Sequence, residues 1–204
     1  LLSDQSQNLW LALENGISRI EISSPLSTFT ERSGITGNVN AIVRYENLLY
    51  AGTTTGLFVQ DPEKWTDTPF KPAFGLTFPV RSLIVAEGSL LAGTDAGLFQ
   101  ITGKNIRKVE SENSFTLYYS PELKLLFTGG SVGLKTYYYD GTFKNIKSLS
   151  IEGEDIIGIE VEKIKTGTLA EFWIGTRYNG AIRIKVNKNR TFTSDRFNKS
   201  DGLP

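Results

Sequence analysis

Chemistry in this chain has to be built without histidine, cysteine or methionine, because none of the 204 residues is of those types. A Ser-His-Asp triad, a Cys-His pair and an imidazole or thiolate metal site are therefore excluded. So is a disulfide frame. No catalytic residue, metal or cofactor is expected. What remains for recognition is carboxylates, guanidinium groups, amides and rings in polar turns: Glu14 and Asn15, Arg81, Asp95, and the run Arg177-Tyr178-Asn179. In that run a fork-shaped donor stands beside an aromatic ring, which suits a hydroxyl-rich or anionic ligand. Glycoside cleavage wants two carboxylates facing across a pocket, and Glu14 with Asp95 is the pair to test for it. Polar turn tips are usually only solvated. Gly129-Gly130 looks like half a phosphate loop, but no Gly-Lys-Ser/Thr follows.

The elements that must carry these residues repeat along the chain. Five segments share one pattern: a short apolar run, a small residue, a polar tight turn, a Gly, then an alternating run. They begin near Asn8, Asn47, Ser89, Lys124 and Glu171, and their marker glycines are Gly16, Gly56, Gly97, Gly133 and Gly180, spaced by 40, 41, 36 and 47 residues. Asn15-Gly16 and Asn179-Gly180 are strong hairpin signals, since both residue types tolerate positive φ. A small residue stands four before the marker in the first four units (Ala12, Gly52, Gly93, Gly129) and five before it in the last (Gly175). A glycine fixed inside a strand marks close backbone approach, here of a neighbouring sheet. Further strand-like runs precede the hairpins at 39–43, 80–85 and 157–161, and Phe29, Ile106, Phe143 and Phe192 mark a weaker strand after them. No window carries a clean helical stripe.

Four short antiparallel strands in about forty residues is the size of a propeller blade. The expected fold is all-β, a β-propeller or propeller fragment of about five four-stranded antiparallel blades. The units fall near 1–36, 37–77, 78–114, 115–153 and 154–204. An up-and-down barrel or sandwich is the main rival, but neither needs a small residue at one fixed place in every unit. In a propeller the turns between second and third strands share one rim, with Glu14, Asn15, Thr54, Thr55, Asp95, Ser131 and residues 177–179 on it. The segments entering each first strand reach the same rim and offer Asn38, Asn40, Phe78 and Arg81. Trp10 and Trp173, with Tyr50, Leu91 and Phe127 at equivalent places, are expected in the core between sheets. Trp65 sits in a polar loop outside the repeat, as a staple or a ligand contact. Tyr137-Tyr138-Tyr139 is expected to fill a strand, with at most two rings on one face.

Twenty-two basic against 22 acidic residues leave no net charge. Nucleic-acid partners, which call for a basic excess, are not expected. No stretch reaches 18 apolar residues, so this segment has no expected contact with a membrane. The absence of Met marks a chain that is processed or cut from a longer protein.

Trp10, Leu11 and Gly16, and again Phe172-Trp173-Ile174-Gly175-Thr176 with Gly180, resemble the two-component regulator propeller repeat. Asp201-Gly202-Leu203-Pro204 is similar to that family's link between blades, and Arg32-Ser33-Gly34-Ile35 holds the same place after the first unit. The middle three units keep the Gly and lose the Trp. The resemblance implies the periplasmic sensor part of a membrane-bound hybrid histidine kinase of Bacteroidetes type, responding to carbohydrate-derived ligands. Its implied partners are an oligosaccharide or other small ligand, the remaining blades and kinase portion of a parent protein, and a second copy in a homodimer. The alternatives are a polysaccharide-active propeller enzyme and a non-catalytic interaction scaffold.

Overall fold

The computed structural model describes residues 2–4, 9–20, 28–61, 68–145, 150–165, 169–187 and 191–203. Trp65 and Pro204 lie outside them. The described residues form five antiparallel sheets, each built from strands consecutive in sequence. The first holds β1 (Leu2–Ser3), β2 (Leu9–Leu13) and β3 (Gly16–Ile20). The second holds β4 (Val39–Tyr45), β5 (Leu48–Thr53), β6 (Gly56–Gln60) and β7 (Phe70–Pro72). The third holds β8 (Val80–Ala86), β9 (Ser89–Thr94), β10 (Gly97–Thr102) and β11 (Asn105–Glu110). The fourth holds β12 (Thr116–Ser120), β13 (Leu125–Gly130), β14 (Gly133–Tyr139), β15 (Phe143–Asn145) and the short β16 (Ile151–Glu152), which pairs with β14. The fifth holds β17 (Ile156–Lys165), β18 (Leu169–Thr176), β19 (Ala181–Asn187) and β20 (Phe192–Phe197).

The marker glycines occupy one topological place. Four of them open the third strand of their sheet, and Gly180 directly precedes β19. The register agrees residue for residue: Trp10 faces Arg19, Tyr50 faces Val59, Leu91 faces Gln100, Phe127 faces Thr136 and Trp173 faces Arg183. The fourth sheet gains a fifth strand, and the first sheet differs from expectation in two ways. Among the described residues the first sheet has three strands rather than four, and Phe29 lies in no strand; its ring instead meets Phe70 edge-on at 5.2 Å.

Sheets two to five pack like the blades of a propeller, with the first strands β4, β8, β12 and β17 lying side by side in that order. Among the described residues no comparable strand contact joins the fifth sheet to the first or the second. The small strand residues make the packing possible. A Cβ on Gly52 would come within 2.6 Å of Val80 Cγ1, one on Gly93 within 2.7 Å of the Ser114 carbonyl oxygen, and one on Gly129 within 2.4 Å of Ile156 Cγ2. Val80 and Ile156 belong to the next sheet, and Ser114 lies in the segment that leads into it. Apolar cores fill the gaps: Tyr50, Leu57, Leu83 and Phe99 between sheets two and three, Leu91, Leu98, Leu126 and Tyr139 between three and four, and Phe127, Ile156, Phe172 and Ile184 between four and five. Phe127 and Phe172 meet at 4.7 Å between ring centres. Tyr137 and Tyr139 are buried and Tyr138 is half-buried, as an alternating strand requires.

Polar staples cross the same gaps. Tyr45 donates its hydroxyl to the Gly88 carbonyl at 3.0 Å. Gln100 Nε2 donates to Tyr139 at 2.9 Å, and Lys135 Nζ to Glu110 Oε2 at 2.9 Å. Burial pulls Glu110 upward, but the Lys135 hydrogen bond and two backbone N–H groups outweigh it and hold the carboxyl at about 2.

The two tryptophans are not core residues. Trp173 is half-buried on the outer face of the fifth sheet, 5.1 Å from Phe197, with its indole N–H donated to Glu162 at 2.7 Å. Trp10 is 36% exposed and donates to Asp4. Their equivalents Tyr50, Leu91 and Phe127 are buried because the next sheet covers them. A Cβ on Gly175, beside Trp173, would approach nothing nearer than Gly158 of its own sheet at 3.9 Å. The first sheet likewise contributes no residue to the four apolar cores.

Candidate functional site

Three of the inner strands begin with the same irregularity. In β4 the register slips between Val39 and Ala41, in β8 between Val80 and Ser82, and in β17 between Ile156 and Gly158. The extra residues are Asn40, Arg81 and Ile157. In the fourth sheet Phe115 holds the corresponding place, just before β12, with its N–H donated to the Gly129 carbonyl at 2.7 Å. A bulge turns a side chain away from the ordinary alternation of the strand. Repeated on β4, β8 and β17, it turns three side chains to one place, and Phe115, entering β12, comes to the same place. Asn40, Arg81, Phe115 and Ile157, joined by Arg177, line an open cleft of about 430 Å³.

Two arginines of the cleft are braced from their own sheets. Arg81 gives Nε and Nη2 to the two carboxylate oxygens of Asp95, at 2.7 and 2.8 Å. That pairing raises the Arg81 guanidinium further above its already high range. Arg177 gives Nε to Asp155 Oδ2 at 2.7 Å, and its backbone N–H bonds the Asp155 carbonyl at 2.8 Å. Asn40 Nδ2 donates to the Val80 carbonyl at 2.9 Å, which fixes its amide against the neighbouring inner strand.

The turn at 177–179 is pinned from below. Asn179 Nδ2 donates to Glu154 Oε2 at 2.9 Å, and Arg196 pairs with the other Glu154 oxygen. Glu154 is buried, yet the Asn179 bond first and Arg196 second hold its carboxyl below the usual range. Tyr178 stands at the tip of this braced turn, 81% exposed.

The structure therefore brings together Arg81, Arg177 and Asn40 and gives other work to most of the remaining sequence candidates. Asp95 serves as the brace of Arg81, and Asn179 as an anchor of the turn. Glu14 and Asn15 lie in the first sheet and do not line the cleft. With Asp95 committed to Arg81, Glu14 and Asp95 form no carboxylate pair across this cleft. Thr54 Oγ1 accepts from Asn38 N–H, Thr55 donates to the Thr36 carbonyl, and Ser131 exchanges hydrogen bonds with Asn113, so these rim hydroxyls tie loops together. Phe78 stacks on Phe99 at 5.8 Å and belongs to the packing. Sequence reasoning missed Phe115 and Ile157. Their only signal was position, at the entrance of an inner strand. Among the described residues no group of three or more Asp or Glu side chains could hold a metal ion. No described helix is long and apolar enough to cross a membrane.

No protein-family model matches the chain, and no curated protein matches it. Solved structures do. The extracellular domain of BT4673 from B. thetaiotaomicron, described as a candidate hybrid two component system, matches with 25% identity and a TM-score of 0.54 over 89% of this chain. A second structure of that domain, described as a one component system, gives 24% identity and a TM-score of 0.57 over 88% of this chain. The WD40 β-propeller domain of Doa1 matches in fold, with 12% identity and a TM-score of 0.52 over 79% of this chain and 55% of its own. The chain spans about a quarter of the BT4673 domain, 27% and 26% in the two structures. The repeats and the fold thus lead to the same relative: the chain is an all-β, propeller-like array similar to the extracellular domain of a candidate two-component sensor.

Proposed function

We propose that this chain is a non-enzymatic, extracytoplasmic ligand-sensing module of a membrane-bound two-component histidine kinase, and that its ligands derive from carbohydrate. The observation that carries the reading is the convergence of three inner-strand side chains, Phe115 and Arg177 on one open cleft. An array of sheets does not need this for packing, and it is suited to contact a small molecule. The similarity to the BT4673 extracellular domain supports the sensing role and a periplasmic location. The braced turn supports it too, since Arg177 and Tyr178 can meet a ligand without first being ordered. The ligand then acts on the rest of a larger receptor, whose further sheets and kinase portion are the partners of this segment.

The test is a thermal-shift screen against plant and host oligosaccharides, with each mixture analysed for cleavage products. Binding to the folded state raises the melting temperature in proportion to RT ln(1 + [L]/Kd), by about 2.7 kcal/mol of stability at a hundredfold excess over Kd. Stabilisation with the sugar intact is expected. Cleaved product would establish the enzyme instead, and a flat screen would leave an interaction scaffold as the better reading.

A further inference from the structure

We infer that the cleft takes the carboxylate of an acidic ligand, held between Arg81 and Arg177 with the ligand's less polar part against Phe115 and Ile157. The inference rests on the reading of the cleft as a ligand site and adds the chemistry of its occupant. Of the five lining residues two are guanidinium groups, one is an amide, two are apolar, and none is a carboxylate. The balancing acids stand behind. Asp95 holds Arg81 by Nε and Nη2, and Asp155 holds Arg177 by Nε alone. Neither of these bonds uses Arg177 Nη1 or Nη2 or Arg81 Nη1. A planar carboxylate needs only donors, and a guanidinium fork matches it in geometry and charge. A neutral polyol needs acceptors as well, and the lining offers one side-chain acceptor, the Asn40 amide oxygen. On the other side Phe115 is half-buried and Ile157 is 48% exposed, a large apolar area to leave against water at the centre of a polar rim.

The acid could be the uronate of a sugar or a simple aliphatic acid, and the experiment separates the two. The whole 204-residue chain, labelled with nitrogen-15, is titrated with glucuronate, glucose and pentanoate while the arginine Nε–H and backbone amide signals are followed by NMR. Glucuronate should shift the signals of Arg81 and Arg177, glucose should not, and 0.5 M salt should weaken the effect because the contact is between charges near the surface. Arg177→Gln should weaken binding about tenfold, the equivalent of about 1.4 kcal/mol, with the rest of the spectrum unchanged. Arg81→Gln serves as the second variant should the first disturb the turn. A response to pentanoate as well supports the inference with a simple acid as occupant; a response to glucuronate alone supports it with an acidic sugar. Glucose binding as tightly as glucuronate overturns the inference and leaves the sensing role standing. Silence from all three also overturns it, whereas the sensing role falls only on the oligosaccharide screen.

Discussion

Phe172 and Trp173 are neighbours in β18 with opposite surroundings. Phe172 is fully buried against Phe127, while Trp173 lies half-covered on the outer face beside Phe197 and Arg183. Removing a buried ring leaves a cavity that the packed sheets cannot close, so Phe172→Ala should cost about 3–5 kcal/mol. Trp173→Ala removes partly solvated area and one hydrogen bond, and should cost about 1–2 kcal/mol. Urea unfolding of the two variants checks the order. Tyr178, at the tip of its braced turn, makes no packing contribution of that kind. Tyr178→Ala should stay within about 0.5 kcal/mol of the parent, as exposed substitutions usually do, while weakening the response to any oligosaccharide found in the screen. The tryptophans also show where sequence reading stops. An aromatic in a repeated strand position was correctly placed in register, but whether a neighbour covers it depends on the sheet beyond, which the local sequence does not describe.

At the scale of the element, one glycine place does different work in different sheets. Gly129 lets Ile156 of the next sheet approach, and Gly129→Ala would push a methyl group to 2.4 Å from it. Overpacking of that kind should destabilise by about 1–3 kcal/mol. Gly175 occupies the same place in the fifth sheet with no such neighbour, and Gly175→Ala should be neutral or stabilising by up to about 1 kcal/mol, because it removes backbone freedom from the unfolded chain. Thermal melts of the pair test the sheet packing directly. The Glu110–Lys135 staple between sheets three and four gives a second test. The carboxyl is held at about 2 against an ordinary 4.5. Its contribution is therefore complete above about pH 4.5 and is lost as the pH falls toward 2. Wild type should exceed Glu110→Gln by about 1 kcal/mol at pH 6, allowing for solvent screening of a partly exposed pair, and the two should converge near pH 2. A constant difference across that range would remove the staple from the account.

At the scale of the whole molecule, the marker glycines and hairpin turns made the array legible, because each obeys a backbone constraint that one residue type meets best. The cleft was legible only in part. Its three bulge positions hold Asn40, Arg81 and Ile157, and Phe115 stands at the entrance of β12; the four are unrelated in chemistry, and a bulge leaves no residue signature; only the side-by-side placement of β4, β8, β12 and β17 reveals that they belong together. The claim that this cleft is where the protein meets its ligand is open to one direct measurement. The chain has no cysteine of its own, so Ile157→Cys and Val85→Cys each give a single thiol. Both positions are exposed, one lining the cleft and one toward the far end of β8. Maleimide labelling of each is timed with and without the oligosaccharide that raises the melting temperature most. The account predicts that the ligand slows labelling at position 157 and leaves position 85 unchanged. Equal rates at position 157 with the ligand bound, or protection at position 85 instead, would contradict it.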